Sequence, residues 1–572
     1  MRKVVSAAAM REIDRLTTER YATPSLLLME AAANASARVI ASRFSHDVSG
    51  LRVLILCGRG NNGGDGAALA RALWMKGALV DVSLFGRVED ARGDARTNFE
   101  IAQQLTSAAP DASATSRPFS FNECTSEGAW RAFQAGRQSY DVLVDALFGT
   151  GLRRPLESIY TSVVAHLAQI RATRPEGKNA RPLVVSLDLP SGLNADAAEP
   201  IGDAVQADLT VTFTAPKPAN VLPPACFFNG DLIVAGIGSP DALVEEAADS
   251  QLFLSDTGDA RAWLEATRYR PGSYKNTHGH ALVIAGSRRM SGAAVLCGDA
   301  AMRAGAGLVT IATPSSALPA VAARVMPEVM TAELAETIQE PPAAGTQDEA
   351  CERVLNDMAL ERALELAARA DAVALGPGLT SGAHIRRLVR AVVEQRTAPV
   401  VVDADALNAL APWPSDLRGT SELPLILTPH PGEMRRLAGA KDAEPDSSAD
   451  RVETARGFAV AHGVILVLKG ARTLIAAPDG RVFVNPTGNA GTGTAGAGDT
   501  LTGIITAFVA QARGTLRDEA DAFAATVAAV YVAGLASDLA AEASGMRAMV
   551  ASDIGKYLGA AIRALDPAGE RP

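Results

Sequence analysis

The sequence predicts an α/β protein of two successive domains, and three observations carry that expectation. The chain has 572 residues, too many for one hydrophobic core, so two domains of about 250–300 residues each are expected. Short apolar runs, each closed by a Gly/Asp turn and followed by a helical stretch, recur at 53–56, 142–144, 183–187, 209–213, 282–284, 372–375, 400–402, 425–427 and 464–468. Buried parallel strands read this way, and their alternation with helices implies layered sheets. Two glycine-rich loops of different design then stand at strand–helix junctions: Cys57-Gly58-Arg59-Gly60-Asn61-Asn62-Gly63-Gly64-Asp65-Gly66, after the first run, and Gly488 to Asp499, before Thr500-Leu501-Thr502-Gly503. Such loops close backbone N–H groups on phosphate oxygens at the positive end of a helix. Two of them imply two nucleotide-sized ligands, or one ligand type handled twice.

Composition narrows the function. Hydrophobic residues make up 48% and charged residues 21% of the chain, ordinary for a globular protein. The formal net charge of −10 speaks against a nucleic-acid surface, which needs clustered Lys and Arg. Five cysteines, Cys57, Cys124, Cys226, Cys297 and Cys351, never fall in a C-x-x-C spacing, so reduced thiols in a cytoplasmic protein are expected. Arg11, Glu12, Asp14 and Arg15 occupy the place where a signal peptide would be apolar. The run 522–537 falls short of the ~20 residues of a membrane span and reads as a buried helix. No membrane or nucleic-acid partner is expected; a homo-oligomer is. A linker is expected between about 238 and 260, with the boundary near 250. The polar, Ala/Pro-rich stretches 107–118, 171–182 and 339–348 read as surface insertions.

Three segments of the first half belong together: Asn61-Asn62-Gly63-Gly64-Asp65, Asp145-Ala146-Leu147-Phe148-Gly149-Thr150-Gly151 and Asp188-Leu189-Pro190-Ser191-Gly192. Each follows an apolar strand, so all three can meet at one rim of one sheet. Carboxylates, amide and hydroxyl oxygens suit a hard cation, and the glycine N–H groups suit phosphate. The same residues are common turn formers, which is the plainer reading of each alone. A dinucleotide fingerprint with an acid some 20 residues further on is not expected in its usual form. Taken in order, the segments resemble the NAD(P)H-hydrate epimerase family. That resemblance implies a Rossmann-like three-layer domain over residues 1–245, which interconverts the R and S epimers of hydrated NADH or NADPH beside a bound K⁺. Asn62, Asp145 and Ser191 match the ion's ligands; Asn61, Asn62, Gly63, Gly64, Asp65, Gly149, Thr150, Gly151 and Asp188 match substrate contacts. Asp188, at a strand end, is the expected acid–base residue. Arg59 stands where the family commonly has proline.

The second loop is of another kind. In Ala495-Gly496-Ala497-Gly498-Asp499, glycines open a helix whose N–H groups form an anion hole, and a carboxylate stands in it. A carboxylate so placed can take the proton of an attacking hydroxyl while the helix end stabilises the transferring phosphoryl group. No P-loop pattern occurs. Further segments accompany it: Ala285-Gly286-Ser287, Ser291-Gly292-Ala293, Leu375-Gly376-Pro377-Gly378, Asp403-Ala404-Asp405, Thr428-Pro429-His430-Pro431-Gly432-Glu433 and Lys469-Gly470-Ala471-Arg472-Thr473. The ordered set resembles the ADP-dependent NAD(P)H-hydrate dehydratase family and implies a ribokinase-like α/β domain over residues 255–572. Ala293, Gly378, His430 and Asp499 match its substrate contacts. Lys469, Gly470, Ala471, Arg472, Thr473 and Gly498 match its nucleotide site, with Mg²⁺ accompanying ADP. Asp403 and Asp405 either hold Mg²⁺ indirectly or serve as turn residues. Thr492, Gly493 and Ala495 depart from the family's residues and bring the loop nearer the sugar-kinase form. His278-Gly279-His280 lacks a Cys or acidic partner and is not read as a metal pair.

The expected chemistry is repair. Hydration of the nicotinamide ring leaves a hydroxyl on C6 and removes hydride-donor capacity. The second domain would phosphorylate that hydroxyl from ADP, Asp499 acting as base, and eliminate phosphate from the S epimer, giving AMP, phosphate and NAD(P)H; the first would supply S from R. The rivals are a vitamin or sugar kinase in the second half and a non-catalytic dinucleotide sensor in the first.

Overall fold

A computed structural model describes residues 1–107, 118–135, 139–174, 182–247, 250–339, 352–439 and 448–566. The chain divides into two compact units between Leu252 and Phe253. The stretch expected as a linker carries regular elements instead: a helix Asp241–Ala247, a strand Leu252–Leu254 and a helix Thr257–Ala266, the last opened by the Asp256 carboxylate on the N–H groups of Gly258 and Asp259. Asp241 and Asp256 open the two helices, whereas Glu245 and Glu246 stand in the last turn of the first. Most of the three expected insertions lies outside the described residues; of their edges, Arg171 to Thr173 close a helix and Gln339 ends a strand.

The first unit is built on seven parallel strands: β1 (Arg52–Cys57), β2 (Leu79–Leu84), β3 (Phe119–Glu123), β4 (Val142–Ala146), β5 (Leu183–Leu187), β6 (Leu209–Phe213) and β7 (Asp231–Ala235). Their order across the sheet is β3-β2-β1-β4-β5-β6-β7. This is the doubly wound Rossmann order, in which the chain reverses direction between the first and fourth strands and leaves a crevice at their carboxyl ends. Val53, Ile55 and Cys57 on one face of β1, with Val144, Val185 and Val211, pack under the helices Ser25–Ser42 and Asn61–Met75; Leu54, Leu56 and Leu143 face a second apolar layer with Trp130 and Leu167. Helices on both faces make the strands apolar on both sides.

In the second unit the strands are β8 (Leu252–Leu254), β9 (His280–Ile284), β10 (Leu308–Pro314), β11 (Met330–Leu334), β12 (Glu336–Gln339), β13 (Glu352–Leu355), β14 (Ala372–Leu375), β15 (Val400–Val402), β16 (Leu425–Leu427), β17 (Ile465–Leu468), β18 (Leu474–Ala476) and β19 (Val482–Val484). The order is β8-β19-β18-β17-β16-β15-β14-β9-β10-β11, with β12 and β13 paired separately as an antiparallel ladder. From β17 through to β11 all neighbours are parallel; β18 and β19 turn back antiparallel. Helix Ala497–Leu516 is buried along its length, with the Phe508 ring stacked 3.8 Å from Trp263; truncating Phe508 to Ala would cost about 3–5 kcal/mol. The apolar run at 522–537 is a helix that continues through Asp538 and Glu542 to Ser544. It is the one helix among the described residues long and apolar enough to cross a membrane, and most of its apolar face is buried in this core.

Candidate functional sites

At the β1–β4 crevice the glycine loop turns straight into helix Asn61–Met75. A side chain on Gly58 would meet the Leu147 carbonyl at 1.9 Å and one on Gly63 the Gly58 carbonyl at 1.8 Å, so only glycine lets these backbones approach. Gly58, Gly60 and Gly63 do keep the G-x-G-x-x-G spacing between strand and helix, which corrects the expectation that this fingerprint is missing. Its acidic counterpart is spent elsewhere: Asp81, in neighbouring β2, accepts from Tyr140 at 2.9 Å and from Ser120.

Asp145 ends β4 fully buried. Its Oδ2 accepts from Ser186 Oγ and Ser191 N, both at 2.8 Å, and its Oδ1 from Ser191 Oγ at 2.6 Å and Leu147 N at 3.3 Å. Ser191 Oγ in turn accepts from Phe148 N at 2.9 Å. One carboxylate thereby ties the ends of β4 and β5 together. Burial pushes Asp145 above the usual carboxylate range despite these bonds, because no ammonium or guanidinium pairs with it. Asn62 is also buried, and both its amide atoms lack a partner. A buried amide left without a protein partner calls for a bound group to complete it. Among the described residues no group of three or more acidic, His or Cys side chains is placed to hold a metal ion.

Asp188 follows β5 with φ of 63° and its backbone N–H on Val211 O. Its Oδ1 receives Lys217 Nζ at 2.5 Å and Thr212 Oγ1 at 3.1 Å. Lys217 is 1% exposed, its remaining donors on Thr212 Oγ1 and Phe213 O. Oδ2 is left facing the Gly149 turn, 3.1 Å from where a Gly149 side chain would begin, with the Asn62 amide beside it. The structure therefore brings Asn62, Gly149 and Asp188 to one point. Asp65, on the adjoining helix, is held well above the usual carboxylate range by burial, with Asp188 and Asp14 adding to the shift. Sequence reading missed Lys217; the signal was a lone lysine between two prolines directly after an apolar strand.

In the second unit, Asp403 ends β15 at 1% exposure. Lys469 Nζ donates to its Oδ1 and Thr502 Oγ1 to its Oδ2, each at 2.8 Å. Burial alone would raise this carboxyl, but Lys469 and the Thr502 and Thr428 hydroxyls outweigh it and hold the group below the ordinary range. Lys469 also lies 3.8 Å from Glu433 Oε2, and these carboxylates keep its ammonium charged against burial. Gly498 closes on the pair: a side chain there would begin 3.3 Å from Lys469 Nζ. Asp499, next in the first turn of the helix, is raised to about 6, by burial first and then by Asp403, with Lys469 opposing. Asp405 Oδ2 caps Thr380 N at 2.8 Å, its turn-residue role.

His430 serves as the cap of helix Pro431–Leu437. Its Nδ1 accepts from Gly432 N at 3.0 Å and Glu433 N at 3.3 Å, while Glu433 Oε2 returns a bond to His430 N at 2.8 Å. That fixes the tautomer, with the proton on Nε2 and half the ring exposed. Gly378, at φ 65°, comes within 2.9 Å of Ala293 Cβ when given a side chain, so these two expected contacts are neighbours. The segment Lys469–Thr473, expected to hold the nucleotide, is the hairpin joining β17 to β18, with Arg472 Nη1 on Pro486 O at 2.6 Å. His278 stacks 3.7 Å from Tyr269 and His280 bonds Thr310 Oγ1 at 2.8 Å, separate tasks for the two rings. Glu433 and Thr502 are partners that the sequence contained but did not mark.

Comparison with known proteins bears on both units. A family described as NAD(P)H-hydrate dehydratase matches residues 281–559, and one described as YjeF-related protein N-terminus matches residues 25–219. A relative from Moorella thermoacetica, named bifunctional NAD(P)H-hydrate repair enzyme Nnr, is 39% identical over 98% of this chain and 97% of its own. A protein of the same name from Thermofilum pendens is 37% identical over 98% and 97%. The crystal structure of an ADP/ATP-dependent NAD(P)H-hydrate dehydratase from Bacillus subtilis, co-crystallised with ATP/Mg²⁺, is 30% identical and covers 55% of this chain and 98% of that one, with a TM-score of 0.44.

Proposed function

The chain belongs to the bifunctional NAD(P)H-hydrate repair enzymes, and from that premise we propose how its residues divide the two reactions, epimerisation of NAD(P)HX in the first unit and dehydration in the second.

In the first unit, Asp188 is the acid–base residue and Oδ2 the working oxygen, since Lys217 and Thr212 occupy Oδ1. Asp188 delivers a proton to the C6 hydroxyl as the ring nitrogen's lone pair expels it as water. Water then adds to the opposite face of C6 and returns its proton to Asp188, giving the other epimer. Asn61 through Asp65 and the Gly149-Thr150-Gly151 turn hold the dinucleotide. Asn62, Asp145 and Ser191 would hold K⁺, whose charge would offset that of Asp145. The orphan Asn62 amide, and an Asp145 carboxylate that is hydrogen-bonded but has no cationic partner among its neighbours, support this ion.

In the second unit the observation that carries the reading is the Asp403–Lys469–Asp499 group at the start of helix Ala497–Leu516. Asp499 takes the proton of the C6 hydroxyl as its oxygen attacks the β-phosphorus of ADP; the bridging P–O bond breaks and AMP departs. Lys469, steadied by Asp403, and the N–H groups at Gly498 face the charge that develops on the phosphoryl oxygens. The ring nitrogen's lone pair then expels phosphate, which leaves with the C6–O bonding pair, and loss of a proton from C5 restores NAD(P)H. His430, Ala293 and Gly378 line the dihydropyridine side, and Lys469 to Thr473 with Gly498 hold the nucleotide. Mg²⁺ would accompany the phosphates of ADP and offset their charge, and Asp403, whose oxygens accept from Lys469 and Thr502, is the carboxylate that could hold it indirectly.

Racemic NADHX given to the enzyme with ADP should return fully to NADH, with AMP and phosphate formed one for one. A phosphorylated product that accumulates, or strict dependence on ATP, would favour the kinase reading.

A further inference from the structure

A guanidinium beside the nucleotide hairpin stands without a counter-charge. Arg451 lies in the first turn of helix Ser448–His462, the element that leads into β17. Its head group is laid against the residues just past the other end of that strand. Nη1 donates to Ala471 O at 3.3 Å, and a side chain on Gly470 would begin 3.1 Å from Nη2. Gly470 stands at φ 139°, a conformation that glycine adopts freely, and its bare Cα leaves the guanidinium room. Lys469, the next residue back, bonds Asp403 at 2.8 Å. Arg451 Nε and Nη2 are sealed from solvent and have no hydrogen-bond partner. Among the described residues no carboxylate pairs with Arg451, and burial pushes its guanidinium below the ordinary arginine range with nothing opposing.

A guanidinium keeps its proton at any ordinary pH, so this charge is carried into a place closed to water. There it works against folding, because neither water nor a carboxylate compensates it. The fold gains one bond to a carbonyl, which a neutral donor would supply equally well. What a neutral donor would not supply is positive charge one residue from Lys469, where a nucleoside diphosphate brings several negative charges. We propose that Arg451 is a positioning residue of the nucleotide site, which sets the hairpin through Ala471 and keeps an unneutralised positive charge for the phosphates of ADP. This rests on reading Lys469–Thr473 as the segment that holds the nucleotide. The open edge of the guanidinium is covered, so Arg451 acts through the hairpin and through space, and its effect falls on nucleotide affinity rather than on the chemical step.

The test compares Arg451→Met and Arg451→Lys in the full chain. It measures the KM for ADP and the kcat of S-epimer dehydration, the affinities for ADP and for adenosine by calorimetry, and thermal unfolding without nucleotide. Met keeps the apolar stem and removes the charge. It should raise the KM for ADP by about fivefold or more, with kcat and adenosine affinity each within about twofold of wild type. The unfolding temperature should stay at or above that of wild type, since an uncompensated charge has been removed. Lys, which keeps the charge without the planar fork, should recover most of the ADP affinity. A KM for ADP within about twofold of wild type in the Met variant overturns the proposal. So does a fall in its unfolding temperature, which would show that the protein itself compensates the charge. Equal losses of ADP and adenosine affinity that Lys does not relieve also overturn it, and mark Arg451 as a prop for the hairpin alone. Failure of the underlying reading is seen separately, as a Lys469→Met variant that binds ADP as tightly as wild type.

Discussion

Replacing Asp499 by Asn separates catalysis from stability in the second unit. The side chain keeps its size and can still hydrogen-bond, but it cannot accept the proton of the attacking hydroxyl. Loss of a positioned base costs roughly 10²–10⁴ in rate, or about 3–5 kcal/mol of transition-state stabilisation. The Asp499 carboxyl titrates at about 6 because it is buried and near Asp403, so it is mostly ionised at neutral pH and the wild-type rate should fall on the acid side with a midpoint near pH 6. The same shift works against folding. With a folded value of about 6 against roughly 3.9 in an unfolded chain, the group favours the folded state fully only below about pH 4, and that contribution is lost as the pH rises to about 6. At neutral pH the charged carboxylate therefore costs on the order of 2 kcal/mol, discounted for its partial exposure. Asn should remove that cost, leaving the unit as stable as wild type or more so while repair stops. The assay is ADP-dependent recovery of NADH absorbance from the S epimer, run beside thermal unfolding, with R-to-S epimerisation as the control. Recovery within tenfold of wild type, or an unchanged acid limb, would show that Asp499 is not the base.

Asp188→Ala should block epimerisation alone, so racemic substrate with ADP stalls near half conversion; full conversion at the wild-type rate argues against its role. Asp145→Ala should lose both ion and substrate affinity in the first unit while dehydration persists. Titration calorimetry in K⁺ against a large organic cation checks the ion, and equal substrate affinity of the wild type in both would show that none is needed. Lys469→Met strands the buried Asp403 carboxylate and should destabilise the second unit by roughly 3–5 kcal/mol, as breaking a buried pair does. It should also raise the midpoint of the acid limb, since Lys469 lowers the Asp499 value. An unmoved limb, or a stability equal to wild type, counts against the pair.

The central strands were legible because both faces of each are covered, which leaves uninterrupted apolar runs such as Leu425–Leu427 and Val400–Val402. The strands that escaped notice lie toward the margins. β2 reads Leu-Val-Asp-Val-Ser-Leu and β3 Phe-Ser-Phe-Asn-Glu, alternating because only one face of each is apolar, and β11 leaves Met330 exposed at an edge. Backbone loops carried the sites into view, since glycine patterns report close approach directly. The partners behind them did not show. Lys217 reads as a surface lysine until the fold closes over it. Glu433 was within a recognised segment, yet only the structure shows it holding His430 N while standing beside Lys469.

The helix Ala522–Ser544 sets a condition on how the protein can be made. It is apolar over the length of a bilayer span, yet it is kept from water by Ala497–Leu516 on one side and by Ala551–Leu565 on the other. The second cover is synthesised after the helix itself, so the growing chain holds an uncovered greasy segment until Ala551–Leu565 has emerged. Lesions that remove Ala551–Leu565 therefore carry consequences far from either chemistry. A stop codon just before Ala551 would spare every residue assigned to both reactions, yet it would leave a sticky helix that invites aggregation or proteolysis.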